Sequence, residues 1–277
     1  MTLRTTLFLL LSVIGTSLHA FASPLISTDG VFRQGGFVYG EVPKGATVKL
    51  GTIQTTVGED GTFFAPIPRK SDAVLELSVK LASGEVMTQP LVIEPQEYKT
   101  QKINGIPKRK VNPNPDDLKR IKNDKSQILA ARKSFRDDKA FMQNFIQPVD
   151  GYRISGVYGS RRVFNGEERS WHKGTDFAAP TGTPVKAPAD GIVTLALADS
   201  FFNGNLIILD HGHQVYTIYA HLDKMDVVAG DAVKQGVKIG EVGSTGRSTG
   251  PHLHWGLYWR NMALDPNLLL LNTEDAS

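Results

Sequence analysis

Five histidines and one aspartate in the last third of this chain are the residues whose types and spacing could do chemistry. They fall in three short clusters: Trp171-His172-Lys173-Gly174-Thr175-Asp176, Tyr219-Ala220-His221-Leu222 and Pro251-His252-Leu253-His254-Trp255. Neutral imidazole is the commonest protein ligand for zinc, and a carboxylate is a frequent companion. Two histidine clusters, one with a carboxylate, set in strand-like sequence point to a zinc site. A third cluster supplies an imidazole for proton transfer.

The spacings constrain how these residues can meet. On a regular strand His172 and Asp176 would share a face but lie about 13 Å apart. Two ligands of one ion must be closer, so the backbone must bend between them, and Gly174 is the place to bend. A helix would also converge them, but Gly174 and the strand-like Phe177 argue against it. His252 and His254, two apart, are same-face neighbours on a strand. One can bind metal while the other serves the same cavity as acid or base, and the spacing does not say which. His221 closes a strand and can project over a sheet face or rim. His211 and His213, in Asp210-His211-Gly212-His213, read as exposed turn residues, and His19 lies in the leader.

The elements that must position these residues read as mainly β. The chain has 277 residues, 40% of them hydrophobic and 21% charged, enough for two modest domains. A net charge of +3 is too small to argue for nucleic acid, and the absence of cysteine excludes disulfides and thiolate metal sites. Arg4, the apolar run from Leu7 to Ile14 and Ala20-Phe21-Ala22 read as a signal peptide over 1–22. With no cysteine at the cleavage point a lipid anchor is not expected, and no later segment is expected to span a membrane. Residues 23–97 alternate like short strands between turns, as in Val74–Leu81 with Glu59-Asp60-Gly61 as a hairpin turn, and predict a small accessory β-sandwich. Residues 98–114, with Lys99, Lys102, Lys108, Arg109 and Lys110, predict a solvated basic linker.

A helical segment is expected over 115–140. Asn114 can cap it, Pro115 suits its first position, and Asp116 and Asp117 sit at the positive end of its dipole. Leu118, Ile121, Ile128 and Phe135 form its apolar stripe. From 147 to 272 the sequence predicts an antiparallel sheet domain with many loops.

The ordered set of motifs in that last stretch resembles the lysostaphin/LytM-type zinc endopeptidases of peptidoglycan. The resemblance rests on Ser155–Arg161, His172–Pro180, Ala189-Asp190-Gly191, Tyr219–Leu222 and Gly243–His254, each weak alone and specific as a series. It implies His172, Asp176 and His254 as ligands of one zinc ion, and His221 and His252 as catalytic histidines beside it. It also implies a peptidoglycan substrate, the D-Ala–meso-diaminopimelate cross-link first among its bonds, in the periplasm or outside the cell. Envelope regulators or an adaptor are the further partners such an enzyme would take. The rival reading is a non-catalytic LytM-like regulator of a wall amidase, which would show a replaced ligand. A further expectation is latency, with the β-domain or the helix covering the groove and Asn165 a loop residue near it.

Overall fold

The computed structural model describes residues 26–270. The leader expected over 1–22 and the last two residues of the expected 147–272 domain lie outside the described residues. Among the described residues no helix is long and apolar enough to cross a membrane.

The C-terminal half is built on one large antiparallel sheet. Its strands run in the order Ala232–Val233, Gly191–Ser200, Gly204–Asp210, Val215–Leu222, Leu253–Trp259, Thr175–Ala178 and Arg153–Gly156, with Met262–Leu264 pairing off Leu253–Trp259. Val215–Leu222 is buried along its whole length, as expected for a central strand covered on both faces. Behind the sheet, Val193, Ile207, Leu209, Tyr219, Leu253, Trp255 and Leu257 join the main core. In front, Leu206, Ile208, Tyr216, Ile218 and Ala220 form a smaller cluster, closed by Ile128 and Ala131 at the end of the helix. The helix therefore occupies part of the front face.

The N-terminal region has two small antiparallel sheets. One is Thr28–Val31, Phe37–Glu41 and Thr62–Pro66; the other is Ile53–Thr55, Thr47–Leu50, Val74–Lys80 and Val86–Val92. Val38, Phe63 and Ala65 from the first share a core with Val48, Leu50, Leu77 and Val79 from the second. Period-two alternation sends the neighbours Phe37 and Phe64 to the other face, into the core of the C-terminal half. There Phe64 meets Phe141 edge to face at 5.5 Å. The adjacent apolar residues Phe37-Val38 and Phe63-Phe64 thus mark a sheet buried on both faces.

Three expectations need correction. Residues 98–114 are not simply solvated chain: Thr100–Ile103 pairs in parallel with Arg161–Phe164, and Lys108–Val111 is a helical turn. Ile103, Ile106 and Val111 pack with Phe164, which gives this basic stretch an apolar reason to dock. The helix spans Pro115–Ala130, with Asn114 and Asp117 forming a reciprocal capping box, and stops short of 140. Its apolar stripe is only partly used: Ile128 packs, whereas Leu118 is 55% exposed. The buried helical side chains are instead Asp117, held by Arg109, and Asp124, which accepts from the Phe201 amide at 2.7 Å. Finally, His211 and His213 are buried, not exposed.

Candidate active site

One row across the sheet sets the site. Strand register places Gly156 opposite Asp176, Asp176 opposite His254, and His254 opposite Ala220. Directly opposed residues project to one face, so Asp176 and His254 stand side by side on the front of the sheet. His172 reaches them from the loop before Thr175–Ala178, its amide tied to the Ser160 carbonyl at 2.8 Å. The bend expected at Gly174 is there, for a reason of space rather than of backbone angle. A Cβ at 174 would fall 2.3 Å from the Trp255 carbonyl oxygen and 2.8 Å from the His254 ring. Gly156 does the same on the other side, where a Cβ would fall 2.5 Å from Asp176 Oδ2.

His221 needs a local irregularity to join them. In a regular strand it would point to the opposite face from Ala220, and so away from His254. Pairing of Asn205 with Leu222 and of Ile207 with Tyr219 leaves an extra residue at this point, a bulge that re-aims the side chain. His221 sits at φ 65°, in the left-handed region. Its amide donates to the Asn203 carbonyl at 2.7 Å, which helps to hold that strained conformation. The His221 and His252 ring centroids are 4.7 Å apart, and His221 and His254 are 6.1 Å apart.

The hydrogen bonds fix which ring nitrogens face the cleft. His172 Nδ1 donates to the Val157 carbonyl at 3.0 Å, His221 Nδ1 to the Thr245 carbonyl at 2.8 Å, and His252 Nδ1 to the Gly250 carbonyl at 2.8 Å. A carbonyl only accepts, so these nitrogens carry the protons and each neutral ring leaves Nε2 as a lone pair. His172 Nε2 lies 3.0 Å from Asp176 Oδ1 and 3.1 Å from His254 Nδ1, and His254 Nδ1 lies 2.8 Å from the same carboxylate oxygen. Burial pushes His172 down to about 4, so it is neutral near pH 7. Burial alone would raise the Asp176 carboxyl, but its polar contacts, the hydrogen bond with His254 among them, override it and hold it well below the usual carboxylate range. Arg162 donates to its second oxygen at 2.6 Å.

A bare imidazole lone pair therefore faces an ionised carboxylate oxygen at 3.0 Å, a repulsion that a cation between them would remove. The three ligand atoms of His172, Asp176 and His254 all lie within 4.8 Å of one another. Their separations approach the edge of about 3.3 Å that a tetrahedron with ~2.0–2.1 Å bonds would have. The donor set fits a zinc ion with room left for further ligands.

These five residues line one cleft of about 1080 Å³. The helix walls one side of it through Ile121, Lys125 and Ile128, and leaves the cleft open. Asn165 is exposed and tied to the main chain of Ile106 through both side-chain atoms. Sequence reasoning did not single out Arg162, which steadies Asp176, or Thr245, which orients His221. Thr245 lay within a quoted motif and Arg162 next to one, but only strand register reveals their targets.

Residues 170–266 match the profile of Peptidase family M23. A crystal structure from Pseudomonas aeruginosa assigned to peptidase M23 shares the fold with a TM-score of 0.65 and 29% identity, covering 86% of this chain and 95% of that one. Residues 170–266 form a peptidase M23 domain. The M23 segment is also similar to the peptidoglycan DD-endopeptidase ShyC of Vibrio cholerae, 42% identical over 119 residues, which are 42% of this chain and 26% of that protein. A DD-carboxypeptidase/endopeptidase Mpg of Neisseria meningitidis is 40% identical over 132 residues, covering 47% of this chain and 30% of its own. The chain thus spans between a quarter and a third of the length of these curated relatives.

Proposed function

We propose that this chain is a zinc-dependent endopeptidase that hydrolyses peptide cross-links of bacterial peptidoglycan, the D-Ala–meso-diaminopimelate bond in particular. The observation that carries this reading is the convergence of three ligand atoms, with two further imidazole Nε2 atoms facing the same cleft. His172 Nε2, Asp176 Oδ1 and His254 Nδ1 would hold the ion. A zinc ion there would supply Lewis-acid activation of water and polarisation of the scissile carbonyl.

The remaining chemistry belongs to the chain. His221 and His252 enter with Nδ1–H locked to main-chain carbonyls, so Nε2 is the atom free to take a proton and later return it to the leaving amine. Once protonated, each Nε2–H can stabilise a developing oxyanion. Burial pushes His221 down to about 3, which keeps its lone pair available before reaction. Arg162 fixes the Asp176 carboxylate through its second oxygen.

Charge supports the choice of stem peptide. The cleft is lined by Lys125, Arg132, Arg153, Arg162, Lys173 and Arg247. Its two carboxylates are already engaged, Asp124 with the Phe201 amide and Asp176 with Arg162 and the histidines. A cationic cleft suits a stem peptide rich in free carboxylates better than an uncharged glycine bridge. The relatives named as DD-endopeptidases act in the same sense. The expected signal peptide and this substrate would place the protein in the periplasm or outside the cell, where envelope regulators or an adaptor could direct it. A non-catalytic regulator of an amidase would require a lost ligand, and none of the three is replaced.

Digestion of purified sacculi with mass analysis of the products tests this reading. Cross-linked dimers should convert to monomers, and His172→Ala or removal of metal should stop it. Unchanged dimers with wild-type, zinc-loaded protein would contradict it.

A further inference from the structure

The geometry points to Arg247 as a carboxylate-binding residue that recognises the leaving amino acid of the substrate. This rests on the endopeptidase reading above. Among the cations of the cleft, Arg162 is engaged by Asp176, Arg132 is buried over the Tyr258 ring with its Nε donating to the Ile128 carbonyl of its own helix end, and Lys125, Arg153 and Lys173 are exposed at the rim. Arg247 differs from all of these. It is half-buried, its guanidinium lies 4.3 Å from the Phe202 ring centroid and 4.9 Å from that of Phe164, and its amide donates to the Phe202 carbonyl at 2.9 Å. Gly246, at φ 75°, lets the loop lie flat on the 202–204 turn, where a Cβ would fall 2.3 Å from the Gly204 nitrogen. Backbone and side chain are therefore both held in place.

Such a clamped guanidinium would be expected to serve an anion, yet no acidic side chain among the described residues pairs with it. Its charged neighbours are Arg162 and Arg169, and burial together with their repulsion lowers its pKa to about 10, still charged near pH 7. A planar fork of donors held between two phenyl rings is prepaid in side-chain entropy and suited to a carboxylate.

The loop that carries Arg247 also fixes the catalytic histidines. Thr245 accepts from His221, and Ser248 Oγ lies 3.2 Å from His252 Nδ1. A carboxylate on Arg247 would therefore sit close to the scissile bond. In a D-Ala–diaminopimelate cross-link, the carbon that bears the scissile nitrogen also bears a free carboxylate. Hydrolysis breaks the bond between the D-Ala carbonyl carbon and that nitrogen, adds the water oxygen to the carbonyl carbon and a water proton to the nitrogen, and leaves the amine and its adjacent carboxylate on diaminopimelate. Arg247 would hold that carboxylate while the amine departs. A glycine bridge offers no such group.

The test compares a soluble cross-linked muropeptide dimer with the same dimer amidated at that carboxylate. Wild type should show a KM about 10- to 100-fold higher for the amidated dimer. Arg247→Gln should raise KM for the free dimer by a similar factor and lose the discrimination, with kcat changed less. Arg247→Lys should keep part of the preference, and thermal melting checks that both variants fold. Equal discrimination by wild type and Arg247→Gln would overturn the proposal. If wild type cleaves neither dimer, the endopeptidase reading fails, and calorimetric binding of the two uncleaved dimers then decides the role of Arg247. A free-over-amidated preference that Arg247→Gln abolishes supports it, and its absence in wild type overturns it.

Discussion

The chain has two sets of histidines, one buried among protein partners and one lining the cleft, and the contrast between them separates structure from chemistry. His211 donates and accepts wholly within the protein: Nδ1 meets the Asp190 carbonyl at 2.6 Å and Nε2 meets Thr217 Oγ1 at 2.7 Å. His213 faces Asp137 at 3.2 Å and packs against Phe135 and Phe141. In the cleft, His172, His221 and His252 each satisfy one nitrogen with a main-chain carbonyl; His172 turns the other to Asp176 and His254, and His221 and His252 leave theirs free in the cleft. His211 spends both nitrogens on protein partners, and the one His213 nitrogen without a partner is sealed from solvent. What differs is whether a lone pair remains for something that is not protein.

The largest effect that would sharpen this contrast is loss of a ligand. Asp176→Ala or His172→Ala should bring dimer cleavage to background and metal content, read by elemental analysis, far below one ion per chain. His211→Ala should retain the metal. Next, His221→Ala and His252→Ala should keep the metal and lower kcat by about 10²- to 10⁴-fold. Loss of metal in either would mean that these rings serve the ion rather than the proton.

The third effect is acid stability, and it isolates His211. Burial lowers its pKa from 6.5 to about 4. A histidine depressed in the fold is neutral there while the unfolded chain still binds the proton, so its share of stability is present above about pH 6.5 and is lost as pH falls through about 4. The loss over that window is on the order of 3 kcal/mol. Chemical denaturation from pH 7 to 4 should show a shallower fall for His211→Gln than for wild type. Parallel curves would remove His211 from the account of acid sensitivity. The smallest effect is expected at Arg162. Arg162→Gln should weaken metal affinity by about 10- to 100-fold, because Asp176 loses the partner of its second oxygen.

Much of the site was legible in the sequence because its residue types are specific and its spacings are short. That His252 and His254 share a face follows from strand periodicity, while their separate roles rest on the family resemblance, and the bend between His172 and Asp176 follows from distance. The mainly β reading was legible too, since alternating apolar residues mark half-buried strands. His211 was misread because turn composition does not reveal that a loop is folded back under Asp190 and Thr217. His221 was placed on a strand, but the bulge that turns it to the front depends on pairing with Asn205 and Ile207, which are distant in sequence. The 98–114 stretch misled through its lysines, whose charges say nothing of Ile103, Ile106 and Val111 packing on Phe164. The helix misled through its pattern, because its buried polar contacts, Asp117 and Asp124, answer partners outside it.

The most direct test of the central claim is X-ray absorption at the zinc edge of the zinc-loaded protein. The account expects two imidazole nitrogens and a carboxylate oxygen at about 2.0–2.2 Å. It also expects little bound zinc in His254→Ala and no change of shell in His252→Ala, His221→Ala or His211→Gln. A third imidazole in wild type, or a shell that changes in His252→Ala, would contradict it.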